Sequence, residues 1–235
     1  MPKSHNRYIY YILFTAAATL LTLFGDLLIG WVEPGPLGIY GMVQEGWPQV
    51  AIWRPTLSLI LASVAFPFYL PGLYAVSKRI EETSPKAGRV FLFASFASST
   101  GWLLIHAAFC IPQFTFKYVY DAGYPDLALK LTDKMLEMAV PSIIVSSLTM
   151  VAAFGVLFVV IVRRKTIYGR WFVLMNPLVV APMTVVLAYI FPDSVFFAGL
   201  SMCKMNLGMF LFFLTAAVYE YKRQSRKAEA LDARS

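Results

Sequence analysis

The sequence predicts an all-α integral membrane protein of six transmembrane helices, with both termini in the cytoplasm. Three observations carry that prediction. Of 235 residues, 59% are hydrophobic and only 14% are charged, against roughly 25% charged in a soluble globular domain. Mean hydropathy is +0.65, and several apolar runs exceed the ~18 residues that mark a membrane helix. Lys and Arg gather in alternate connecting segments, the pattern that orients polytopic proteins.

The spans fall at about residues 8–32, 56–76, 90–116, 140–162, 171–191 and 195–219. Each crosses a hydrocarbon core of ~30 Å at ~1.5 Å rise per residue, and runs this long satisfy their backbone in lipid as helices. The first follows a short basic flank (Lys3, Arg7); it is too long for a signal-peptide core and no cleavage site follows it, so it reads as a retained span. The second contains Pro67 and Pro71, the third Pro112, the fifth Pro177 and Pro182. Each proline removes a helix hydrogen bond and can kink its span. Trp31, Trp47, Trp53 and Trp171 sit near span boundaries, where aromatic belts form. Residues 1–221 make one transmembrane domain and 222–235 a charged tail.

Most of the 20 basic residues lie on one side. They are Lys3 and Arg7, then Lys78, Arg79, Lys86 and Arg89, then Arg163, Arg164, Lys165 and Arg170, and in the tail Lys222, Arg223, Arg226, Lys227 and Arg234. Positive-inside makes that side cytoplasmic. The net charge of +7 is therefore topology, and with no nucleic-acid motif present the sequence excludes a nucleic-acid partner. The outer side carries two longer segments, Glu33–Pro55 and Lys117–Ala139. In the second, Leu127, Leu131, Met135 and Met138 share one helical face and Asp126, Lys130 and Lys134 another, which predicts an amphipathic helix lying on the outer interface.

Polar stripes run along three spans at steps of three and four residues, so each occupies one helix face. They are Thr15–Thr19–Thr22–Asp26–Gly30, Ser95–Ser99–Trp102–His106–Cys110–Gln113, and Ser201–Lys204–Gly208. Small and hydroxylated residues suit helix packing in lipid, but a charge near the bilayer centre costs at least ~2.5–3.5 kcal/mol and normally pairs or lines a pathway. Asp26 lies seven residues before Glu33, roughly 10 Å down. Lys204 and His106 each lie 11 residues from the nearest outer charge, Asp193 or Lys117, roughly 16 Å down. Side chains lean toward their own helix N-terminus, so Lys204 leans outward and Asp26 inward. The expectation is a converging Asp26–Lys204 ion pair with His106 beside it.

Those three ions are the candidate catalytic groups, with Trp102, Gln113, Ser201, Thr22 and Cys110 as ligand contacts. An acid or base, an electrostatic stabiliser and an apolar pocket suffice for chemistry on an apolar substrate, which would place any activity among isomerases, cyclases or transferases. The expected function is binding of a small amphiphilic or lipid-like molecule, with or without its transformation. Two alternatives stand beside it: a proton-coupled transporter or ligand sensor working as a homo-oligomer, and an assembly subunit in which Asp26–Lys204 only clamps helices. No HExxH, GxSxG, P-loop or dinucleotide fingerprint occurs, and Cys110 and Cys203 lack metal-ligand spacing. No cofactor and no metal is expected.

At "LFGDLLIGWVEPG" (Leu23–Gly35) and "GWLLIHAAF" (Gly101–Phe109) the chain resembles bacterial six-helix integral membrane proteins of uncharacterised function. These carry an acid near the outer end of the first span and a polar residue in the third. The resemblance implies the fold, a bacterial cytoplasmic membrane and Asp26 as a notable position, and it implies no activity.

Overall fold

The computed structural model describes residues 3–37 and 43–232; Arg234 and part of the first outer segment lie outside them. The described residues are mostly helical, joined by turns and irregular segments and by one short hairpin. The first span forms α1 (Lys3–Gly30). The hairpin follows, with β1 (Pro36–Leu37) antiparallel to β2 (Val43–Gln44), and then a single turn at Trp47–Gln49. The second span is divided: α2 (Trp53–Ala65) and α3 (Tyr69–Glu81) meet at a tight 3₁₀ turn, Phe66–Phe68. Pro67 lies in that turn, which fits a ring that cannot continue the helical ladder. Next come α4 (Pro85–Asp121) and α5 (Pro125–Val162), then α6 (Pro177–Ile190), α7 (Val195–Met202) and α8 (Lys204–Asp232).

Among the described residues four helices are long and apolar enough to cross a membrane, counting α2 and α3 together, and five if α7 and α8 form one span bent by 72°. The fifth expected span is shorter than its apolar run. Residues Arg170–Met175 form a 3₁₀ segment, and α6 has only 14 residues. Its start is built into the sequence: Pro177 occupies the first turn, and buried Asn176 accepts from the Leu178 amide at 2.9 Å. Proline at the first helical position after an Asn cap is a helix start even inside an apolar run.

The amphipathic interfacial helix is not a separate element. Chain 117–139 is shared between the last turn of α4 and the first turns of α5, joined at Gly123, whose φ of +89° suits glycine. There α5 buries Ala128, Thr132 and Leu136, while Leu127, Leu131 and Met138 stay exposed. The cause is a small second core in which Ala128 and Leu136 join Val32, Val43, Trp47, Val50 and Phe116. It ties the α4–α5 tip to the hairpin, and Trp47 meets Phe116 edge-on at 5.7 Å.

Packing runs α6–α8–α1–α2/α3–α4–α5, with α7 laid across the end of α1. The α7 crossing depends on glycine: a Cβ on Gly30 would fall 2.5 Å from Met202 Cβ. Most of the basic segments share one end of the bundle. There Arg79 sits 4.9 Å over the Tyr8 ring, Thr83 donates to the Lys165 carbonyl, and Tyr219 donates to the Ile167 carbonyl at 2.7 Å. Arg79 also makes a two-pronged bond to Glu220, at 2.7 and 2.8 Å, and both side chains are fully buried. At the opposite end, below the hairpin, lies a cavity.

Candidate functional site

The cavity has a volume of about 420 Å³, within the range of roughly 300–1,000 Å³ of small-molecule sites. Its polar wall is Asp26 from α1, His106 from α4, and Lys204 and Asn206 from the first turn of α8. Much of the remaining wall is apolar, including Phe66, Trp102, Met150, Met202, Met205 and Met209. Gln44 of β2 contributes from the hairpin. The α5 and α8 walls are not among the closely packed helix pairs, so the cavity occupies the gap between them.

Asp26 does not pair with Lys204. Its Oδ1 lies 3.1 Å from His106 Nδ1, and its Oδ2 accepts from Asn206 Nδ2 at 2.6 Å. Asn206 in turn accepts from the Tyr69 hydroxyl at 2.9 Å, and that hydroxyl also contacts Thr22 Oγ1. On its far side, His106 Nε2 lies 2.9 Å from Ser58 Oγ, with Cys110 Sγ at 3.5 Å from the same oxygen. One hydrogen-bonded chain therefore joins α1, α2, α3, α4 and α8. The expected ion pair fails because Lys204 has a nearer acceptor. The helix breaks at Cys203, and Lys204 Nζ bonds the freed Ser201 carbonyl at 2.9 Å. Among the described residues no carboxylate lies within salt-bridge distance of it.

The network also assigns its protons. Ser58 Oγ lies 2.7 Å from the Gly25 carbonyl, which can only accept, so the hydroxyl proton points there. His106 Nε2 then faces two acceptors, Ser58 Oγ and the Ser58 carbonyl at 3.3 Å, and must carry a hydrogen itself. A further proton lies between His106 Nδ1 and Asp26 Oδ1, whichever atom holds it. The pair is then either imidazolium with carboxylate or imidazole with carboxylic acid. Its net charge is zero in both forms. Burial favours this, since an uncompensated charge in a low-dielectric site is expensive.

Ser58, His106 and Asp26 thus have the connectivity of a nucleophile–base–acid triad. Ser58 lacks a nucleophile's access: it is fully buried, forms no part of the cavity wall, and its proton is held by a backbone carbonyl.

Residues 1–223 match a family of unknown function. The chain belongs to that family, DUF6796. No curated protein and no solved structure matches it. The functional reading of this DUF6796 protein therefore rests on its own geometry.

Of the residues singled out from the sequence, the three ionisable groups come together and most of their expected neighbours stand elsewhere. Asp26, His106, Lys204 and Trp102 line the cavity. Thr22 and Cys110 stand behind its wall, bonded to Tyr69 and Ser58. Gln113 donates to the Ile29 carbonyl at 3.0 Å, and Ser201 contributes its carbonyl to Lys204. Cys110 and Cys203 are both free thiols. Ser58, Tyr69 and Asn206 were not anticipated. A signal existed for the first two, because Ser58–Ala62–Ala65–Tyr69–Gly72–Val76 steps by three and four residues, and all six are buried. Among the described residues no group of three or more His, Cys, Asp or Glu side chains is arranged to hold a metal ion.

Proposed function

We propose that this DUF6796 protein is a six-helix protein of the bacterial cytoplasmic membrane, with both termini inside, that binds a small amphiphilic or lipid-like molecule in the cavity below its outer hairpin. In this reading α6 with its 3₁₀ lead-in is the fifth span and α7–α8 the sixth. The observation that carries it is the wall composition: a compact polar group at Asp26, His106, Lys204 and Asn206, and a remaining wall built mostly of methionine, aromatic and isoleucine side chains, with Gln44 and Ser147 as its other polar residues. Methionine adapts its shape to irregular apolar ligands, and a site of this kind orients a ligand by a few convergent polar groups. The gap between α5 and α8 gives an amphiphile a lateral way in. If the molecule is transformed as well as bound, the proton held between Asp26 and His106 is the group that would move.

A path across the membrane has less support. Inward of the polar group, Tyr69 packs edge-on against both Phe66 and Trp102, which are tilted to one another, with ring centroids 5.1 to 6.3 Å apart. In this reading that cluster closes the cavity toward the basic end.

Native mass spectrometry of the purified protein tests the proposal. Wild type should retain a small molecule. Ser147→Trp, which fills the cavity from α5 without touching the hydrogen-bonded chain, should lose it while keeping the wild-type melting temperature. Identical spectra for the two, with nothing bound to either, would refute the binding reading.

A further inference from the structure

Three features of the cavity bear on what kind of head group it holds. First, the Asp26–His106 pair is neutral as a unit, by the donor and acceptor argument above. Second, Lys204 uses one of its three ammonium hydrogens on the Ser201 carbonyl, and no described carboxylate lies within 4.0 Å to balance it. Third, Asp26 is already committed: one oxygen faces His106 and the other accepts from Asn206. Among the described residues of the wall, Lys204 thus has no carboxylate partner, while the acid Asp26 is balanced within its unit with His106. A lone ammonium in such surroundings is costly, and an anion brought in by a ligand would remove that cost.

We infer that the bound molecule is an amphiphile with an anionic head group, a carboxylate or phosphate, seated on Lys204, with its hydrocarbon chain against Met150, Met205 and Met209. The inference rests on the binding reading and narrows it. A head of this charge is held by the two remaining ammonium donors of Lys204, with the second side-chain amide hydrogen of Asn206 beside it. The cavity volume of about 420 Å³ suits a single chain better than the paired chains of a bilayer phospholipid. The polar wall sits at the α7–α8 break, consistent with the way discontinuous helices supply polar groups to intramembrane sites.

The experiment compares four amphiphiles of one chain length, brominated on the chain: a fatty acid, an alkyl phosphate, the matching alcohol and an alkyl trimethylammonium. Bromine quenching of tryptophan fluorescence in detergent-purified full-length protein reads binding, with Trp102→Phe identifying the signal from the cavity. Wild type should bind the carboxylate or the phosphate about ten- to a hundredfold more tightly than the alcohol, the size of a charge-assisted hydrogen bond. The tighter of the two anions names the head. Lys204→Met should remove that preference, and Lys204→Arg should keep it, which separates loss of charge from misfolding. Equal binding of the anion and the alcohol, or preference for the trimethylammonium head, would overturn the anion inference and leave the binding reading intact. Failure of every amphiphile to quench Trp102 would overturn both.

Discussion

The buried pair at the basic end allows a quantitative test of how the bundle is held. Arg79 and Glu220 are 1% and 0% exposed, and they join the end of α3 to α8 through two bonds of 2.7 and 2.8 Å. Removing one partner of such a pair typically costs ~3–5 kcal/mol, because the other charge stays buried, whereas replacing both with apolar groups of similar size is often nearly neutral. The neighbours make the two single losses unequal. Without Glu220, Arg79 still donates to Glu82 at 2.5 Å. Without Arg79, Glu220 keeps no guanidinium bond among the described residues. Glu220→Leu should therefore cost about 3 kcal/mol and Arg79→Met nearer 5. Arg79→Met with Glu220→Leu should cost far less than the sum, giving a coupling of about 3 kcal/mol or more. Reversible unfolding in mixed micelles, with midpoints and slopes for all four proteins, measures the cycle. Two single losses under about 1 kcal/mol that simply add would show that the pair is an idle surface contact and that its burial has been misjudged.

Other sites give sharper qualitative outcomes. A Cβ on Gly101 would overlap Ser146 Oγ and lie 2.7 Å from Ser146 Cβ; Gly101→Ala should cost about 1–3 kcal/mol by overpacking, rescued by Ser146→Gly and little by Ser146→Ala. An unchanged melting temperature for Gly101→Ala would mean the α4–α5 seam is looser than described. Burial pushes the Glu82 carboxyl up, but bonds from Arg79 and Arg223 more than offset it and hold the group below its ordinary value. Its folded pKa being the lower one, its stabilisation is complete above about pH 4.3 and fades as pH falls through the folded value. Glu82→Gln should be less stable at pH 7 and lose less on acidification; parallel pH–stability curves would contradict this. Ile105 and Ile143 line both the cavity and a second, apolar one of about 330 Å³ between α4 and α5. Ile143→Ala should join the two and shift co-purified ligands toward longer chains in the mass spectrum, and an unshifted distribution would show that this wall does not set chain length.

The helices were legible because apolar length is a property of the local chain. Their interruptions were less so, though Asn176–Pro177 announces a helix start to any reader who looks for one inside an apolar run. The outer segment was misread for a different reason. The Leu127–Leu131–Met138 face is real, but periodicity states only that a face is apolar and not what covers it. Ala128 and Leu136 are buried because the hairpin brings Val43 and Trp47 to them, a contact between distant parts of the chain. Arg79 shows the same limit: it reads as one more inward-facing basic residue until Glu220, 141 positions later, is placed against it.

Lys204 shows how a local break changes a charge's partner. On a continuous helix it would share a face with Ser201 and Gly208 and reach for Asp26. Asn206, two residues on, would point elsewhere. The break at Cys203 makes Lys204 the first residue of a new helix and leaves carbonyls of the preceding turn without their helical donors. Lys204 takes one of them, and Asn206 takes the acid. The substitution matters chemically as well as structurally: an Asp26–Lys204 pair would have been a closed, self-satisfied clamp. The arrangement present instead neutralises the acid with histidine and leaves the ammonium two unused donors in an apolar chamber. A helix break that serves only packing gives no reason to keep a cation there; one that receives an anion does.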